Sequence, residues 1–343
     1  MKRHRLSPGP RHAKGFSLIE LMVSLTIGLI IAVAAGSAYL GSAGAGRIAE
    51  AQSRMNEDAQ AALNILAQQV REAGNNPLRS GDRDTAFRHN PIYDTTYVGG
   101  SVTYGTSTYV VTSTAAFSLS SFSLRGCDGK FSHITTATKL DALTCAGGTT
   151  TLPDSIAVSY EADRYNTIPT ASPSFAPTDC LGSELSTVSV TFPSGSATTA
   201  TYAVSDNRFY IGTSTAIVSP SLYCKGIGNV NPQPLVENVE DMQFTYGTVS
   251  STNTSTTATV AGYLTADEVV TDTNLALLPI EEQRWGKVLS VRICVLVRSE
   301  NPVAPDADSA RYDDCQGGRD VAAPDLRLRR AYSTTVVLRN RRS

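Results

Sequence analysis

The chain has 343 residues, is 41% hydrophobic and carries a net charge of −2, a composition that excludes a disordered chain and allows one or two domains with a real core. A pI near 6.1 argues against nucleic-acid binding by bulk electrostatics. The charge is unevenly placed: Lys2, Arg3, Arg5, Arg11 and Lys14 fall within the first 15 residues with no acid among them, and the remainder has a net charge of −7.

The first element in chain order is apolar. From Leu21 to Gly46 there are 26 residues without a charge, densest in large apolar side chains from Leu21 to Ala35. One such run suits a single helix across a bilayer and excludes a polytopic membrane protein. The basic residues before it place the N-terminus in the cytoplasm and the bulk of the chain outside. A secretory signal peptide, a plain anchor and a prepilin-type signal all fit this outline. The small residues from Ala32 to Ala38 imitate a signal-peptidase site. No cysteine follows the run closely, which excludes a lipoprotein. Glu20 separates the readings. A carboxylate is disfavoured by about 2.5–3.5 kcal/mol at the centre of a membrane helix, and less near its end, so a simple anchor or signal gains nothing from it.

The stretch KGFSLIELMVSLTIGLIIAV (14–33) resembles the class III, prepilin-type signal of type IV pilins and type II secretion pseudopilins. The resemblance implies cleavage between Gly15 and Phe16 by a prepilin peptidase, N-methylation of Phe16, and retention of the apolar helix. It also implies that Glu20 pairs with the Phe16 ammonium of a neighbouring subunit during assembly. Opposite charges relieve each other's desolvation in a low-dielectric setting. Gly28, Ala32, Ala34, Ala35 and Gly36 would let helices approach closely. Ordinary membrane-helix composition explains them equally well.

Residues 47–73 follow with apolar positions at 48, 51, 55, 59, 62, 66, 70 and 73, a helical stripe. The helix is expected to pack this stripe on a globular domain and to stop at Gly74-Asn75-Asn76-Pro77. Gly41, Gly44 and Gly46 interrupt the join and are expected to let it bend or melt. Beyond residue 77 the helical pattern disappears. Short strands and loops are expected over 95–125. Further strands are expected at Ser155–Tyr160, Thr187–Phe192, Arg208–Gly212, Met242–Tyr246, Val288–Val297 and Ser333–Leu338. Val288–Val297 is the most apolar and should be central in its sheet. No βαβ repeat is visible, so the sheet should be antiparallel. Residues 161–184, with three prolines, read as a long loop. Nine of the twelve residues from Thr248 to Thr259 are Ser or Thr, as in a flexible surface insertion, and Asn253-Thr254-Ser255 matches a glycosylation sequon.

The six cysteines, Cys127, Cys145, Cys180, Cys224, Cys294 and Cys315, form no CxxC and are disulfide candidates in an oxidising compartment. Fifteen pairings are open, and pairing of neighbours in sequence is the simplest expectation.

The segments PLVENVEDMQFTYG (234–247), RWGKVLSVRICVLVRSE (284–300) and RRAYSTTVVLRNR (329–341) resemble the C-terminal half of PilW-type minor pilins. The two resemblances together imply an α+β fold: a long N-terminal helix, half transmembrane and half amphipathic, on an antiparallel β-domain with long loops. The expected organisation is a leader over 1–15, a transmembrane and assembly helix over 16–46, and an amphipathic helix over 47–76. A disulfide-supported periplasmic β-domain over 77–343 completes it. The implied role is non-catalytic, in pilus assembly or initiation, with a place in the inner membrane and then the fibre or its tip. The implied partners are other minor pilins, the major pilin, a tip adhesin, the prepilin peptidase and the inner-membrane assembly platform. No cofactor, metal or nucleic acid is expected. A type II secretion pseudopilin and an adhesive tip module are the alternatives.

Other clusters have ordinary readings. Asp306, Asp308, Asp313 and Asp314 fit no EF-hand spacing and read as a solvated loop. Six arginines between 327 and 342 could contact phosphates, but the alternation in LRLRR reads as an exposed strand face. Trp285 and Tyr263 could mark a partner surface, though a lone Trp opening a buried strand is core. His133 with Asp128 or Asp141 lacks a nucleophile motif, so no catalytic constellation is expected.

Overall fold

The computed structural model describes residues 15, 17–75, 100–104, 107–111, 122–137, 140–147, 152–191, 199–228, 231–252, 259–338 and 340. Phe16, the Asn76-Pro77 helix stop, the 253–255 sequon, Arg339, Arg341 and Arg342 lie outside them. The chain forms two compact units, residues 1–50 and 51–343.

The first unit is helical. Helix α1 (Leu18–Glu72) begins in it, and the residues from Leu18 to Val33 are exposed on every side. The helix does not melt at Gly41, Gly44 and Gly46: α1 passes through all three. Each glycine costs about 1 kcal/mol against alanine in a helix, but unlike proline it keeps its N–H and leaves the hydrogen-bond ladder whole.

In the second unit, α1 buries Met55, Ala59, Ala62, Leu66, Ala67, Val70 and Ala73 in the core. The stripe carries three alanines at its centre, so the helix backbone can lie close to the sheets. Gly74 ends it in the left-handed region, at φ 74°, where glycine meets no steric penalty. The chain then joins a strand directly. Gly74 N–H donates to the Ser159 carbonyl at 2.9 Å, and Glu161 N–H donates to the Asn75 carbonyl at 2.8 Å.

Eight strands form the first sheet: β1 (Gly100–Tyr104), β2 (Ser107–Val111), β3 (Leu124–Cys127), β4 (Ser155–Ala162), β5 (Thr187–Thr191), β6 (Thr199–Gly212), β7 (Ser221–Gly226) and β8 (Gln233–Glu237). Its order is β2-β1-β5-β6-β4-β3, with β7 on β6 and β8 on β7. The long β6 pairs β5 through Thr199–Ala203 and β7 through Asn207–Gly212. Asn238, at φ 62°, separates β8 from β9 (Val239–Thr248), and there the chain passes into the second sheet. Asparagine tolerates that backbone better than most residues. The second sheet adds β10 (Gly262–Leu264), β11 (Val288–Arg298) and β12 (Arg329–Val337), in the order β10-β9-β11-β12. Two short helices, α2 (Ala266–Thr271) and α3 (Glu281–Trp285), lie between β10 and β11 in the chain.

Both sheets are antiparallel throughout, and β11 is interior between β9 and β12, as its apolar run predicts. Residues 163–186 contain no helix or strand. Trp285 is core: its ring meets Tyr246 edge-on at 4.8 Å, and its indole N–H donates to Glu281 at 3.3 Å.

All six cysteines are paired, each with its neighbour in sequence: Cys127–Cys145, Cys180–Cys224 and Cys294–Cys315. Each bond ties a loop to a strand, β3, β7 and β11 in turn.

Candidate functional site

The N-terminal site starts from Gly15, which is exposed, with nothing within 4 Å of where a Cβ would stand. Three residues into α1, Glu20 turns back on its own helix: its carboxylate accepts the Ser17 N–H at 3.0 Å. A helix leaves its first N–H groups unpaired, and an acid in the first turn both satisfies one and favours the helix dipole. Behind Glu20 the helix presents large apolar side chains without cover. Leu18, Leu25, Leu29, Ile30 and Val33 are each more than 60% exposed. An 18-residue window here has a mean hydropathy of 2.4, with none of it buried. The hydroxyls of Ser24, Thr26 and Ser37 donate to the carbonyls three residues back, at 3.0, 2.9 and 2.9 Å. They therefore carry no unpaired donor into an apolar environment. Such a surface needs lipid or other helices around it.

Ion pairs brace the C-terminal half. Arg329, at the start of β12, is buried and holds two acids: Glu240 on β9 at 2.5 Å and Asp325 in the preceding loop at 2.7 Å. The Arg329 guanidinium holds the Asp325 carboxyl well below the usual carboxylate range. Arg327 pairs with Asp325 as well, at 2.9 Å. The exposed-strand reading of LRLRR is therefore wrong for Arg329, which turns into an ion-pair network and not into solvent. Glu240 comes from a distant segment, so alternation alone could not show it.

Three aspartates tie the sheets and short helices together. Asp154, just before β4, accepts Gly129 N–H at 3.1 Å and Phe244 N–H at 2.8 Å, so it bridges the two sheets. Burial pushes its carboxyl up to about 8, against those two bonds. Asp128 accepts the Ala266 and Asp267 N–H groups at the start of α2, at 2.8 and 3.2 Å. Asp241 accepts the Gln316 amide at 2.7 Å, which ties β9 to the loop beside Cys315.

Similar contacts occupy several of the remaining candidates. Asp128 is committed to backbone donors. Asp306, Asp313 and Asp314 accept backbone N–H groups within their own loop: Ser309 for Asp306, Asp320 for Asp313, and Gln316 and Gly318 for Asp314. Among the described residues, no three His, Cys, Asp or Glu side chains are grouped to hold a metal ion. Tyr263 is 36% exposed, under the Arg292 guanidinium at 4.1 Å. The capping box of α2, with Thr265 and Glu268, went unread, although TADE (265–268) carries its signature.

Residues 10–36 match the family model for the prokaryotic N-terminal methylation motif. Residues 208–340 match that for the type IV pilus-assembly protein W. The two matched regions together resemble those of a PilW-type pilin. No curated protein and no solved structure matches it. The methylation motif takes in Gly15, Glu20 and the exposed apolar part of α1, a combination that fits a membrane-anchored pilin. The PilW region starts within β6 and contains the whole second sheet, the Cys294–Cys315 bond and the Arg329 network.

Proposed function

We propose that this chain is a PilW-type pilin, a minor, non-catalytic subunit of a type IV pilus, made as a prepilin. A prepilin peptidase cuts between Gly15 and Phe16 on the cytoplasmic side and methylates the new amino terminus. The apolar part of α1 then holds the subunit in the inner membrane, with the disulfide-supported β-domain in the periplasm. On assembly, lipid contacts around α1 are exchanged for contacts with the helices of other minor pilins and the major pilin. Glu20 sets the register of that exchange by pairing with the Phe16 ammonium of a neighbour. The observation that carries the reading is Glu20 itself: a carboxylate at the first turn of an otherwise uncovered apolar helix, within a methylation motif.

The test is Glu20→Val in the full chain. Valine removes the charge and leaves the helix apolar, so membrane insertion and processing should persist while recovery in sheared fibres falls at least tenfold. Normal incorporation would contradict the assigned pairing. A deletion strain should lose pili; loss of secretion with pili intact would identify a pseudopilin instead.

A further inference from the structure

The apolar part of α1 has two possible points of exit from a bilayer, and its side chains separate them. Charge would permit exit just before Arg47, since none occurs from Leu21 to Gly46. Large side chains stop earlier. After Val33 come five small residues, then Tyr39 and Leu40, then six residues that are only Gly, Ser or Ala. Those six gain almost nothing from burial in hydrocarbon. Length gives the same answer. At about 1.5 Å per residue, Glu20 to Tyr39 covers roughly 29 Å and Glu20 to Arg47 roughly 40 Å, against a hydrocarbon core of about 30 Å.

Tyr39 is the one aromatic residue in the sequence from Ser17 to Asn75, and it is 73% exposed. A tyrosine has an apolar ring and a polar end, and such side chains concentrate at the boundary between hydrocarbon and headgroups. We propose that Tyr39 is a lipid-interface anchor. Its ring sits among the phospholipid headgroups at the outer face of the bilayer, opposite Glu20, and α1 leaves the hydrocarbon there. Gly41 to Gly46 then lie in the hydrated boundary layer, between Tyr39 and the first charge at Arg47. This rests on the reading of α1 as a membrane helix.

The test uses the full chain in phosphatidylcholine–phosphatidylglycerol vesicles containing lipids brominated either near the headgroup or near the chain ends. Tyr39→Trp and Leu29→Trp report two depths, and the unsubstituted chain supplies the background from buried Trp285. The expected result is at least twofold stronger quenching of Trp at 39 by the shallow bromines, with the reverse order at 29. Quenching at 29 with none at 39, or with strongest quenching at 39 by the deep bromines, would overturn the anchor alone. No quenching at either position would overturn it together with the membrane reading beneath it.

Discussion

The phenol of Tyr246 occupies the space that a side chain on Gly126 would need: a Cβ there would collide with the Tyr246 oxygen. That oxygen is buried and has no hydrogen-bond partner among the described residues. Gly126→Ala should therefore destabilise the β-domain by about 1–3 kcal/mol through overpacking. Tyr246→Phe should be neutral or stabilising by up to about 1 kcal/mol, since it deletes a buried polar atom that pairs with nothing. Urea denaturation of both variants and of the double substitution checks this, and the double variant should recover part of the alanine's cost. A second residue-scale prediction concerns pH. Asp154 has a raised folded-state value, so folding favours its protonated form. The resulting stability is full below the unfolded value near 4 and is lost as pH rises through about 8. Stability measured from pH 5 to 8 should fall in the natural chain, and Asp154→Asn should flatten that slope.

At the scale of elements, the Arg329 network pins the loop ahead of β12 to β9. Arg329→Ala leaves Glu240 and Asp325 without their shared cation and should cost about 2–4 kcal/mol, reduced from the fully buried case because both acids are partly solvated. Arg329→Lys should recover little, because an ammonium cannot reproduce the two-sided fork. Thermal denaturation of the two variants measures both effects. On α1, Leu66→Ala should cost about 2–5 kcal/mol through the cavity it leaves. Elements whose own side chains determine them were legible. The α1 stripe repeats at helical spacing, and β11 carries Val291, Ile293, Val295 and Val297 at alternate positions, one apolar face that the core buries. β7 (SLYCKG) and β8 (QPLVE) were not legible, since their pairing depends on β6 and their local pattern is short and mixed. The burial of Arg329 was hidden for the same reason: Glu240, which meets it from β9, stands 89 residues away. The glycines at 41, 44 and 46 do not melt α1, because an intact hydrogen-bond ladder outweighs a modest intrinsic cost.

At the scale of the whole molecule, a bare apolar helix is joined in sequence to a β-domain braced by three disulfides. The bonds close loops spanning 18, 44 and 21 residues. Each should contribute about 3–4 kcal/mol by restricting the unfolded chain. Paired Cys180→Ser and Cys224→Ser substitutions, which open the longest loop, should lower the denaturation midpoint most. The central claim is that the leader is removed and the helix is kept. It is tested most directly by the N-terminal residue and intact mass of the membrane-extracted protein, with and without its prepilin peptidase. The account predicts a chain that begins at methylated Phe16 only when the peptidase is present. A chain that begins near residues 35–45, or one that still begins at Met1 with the peptidase present, would contradict it.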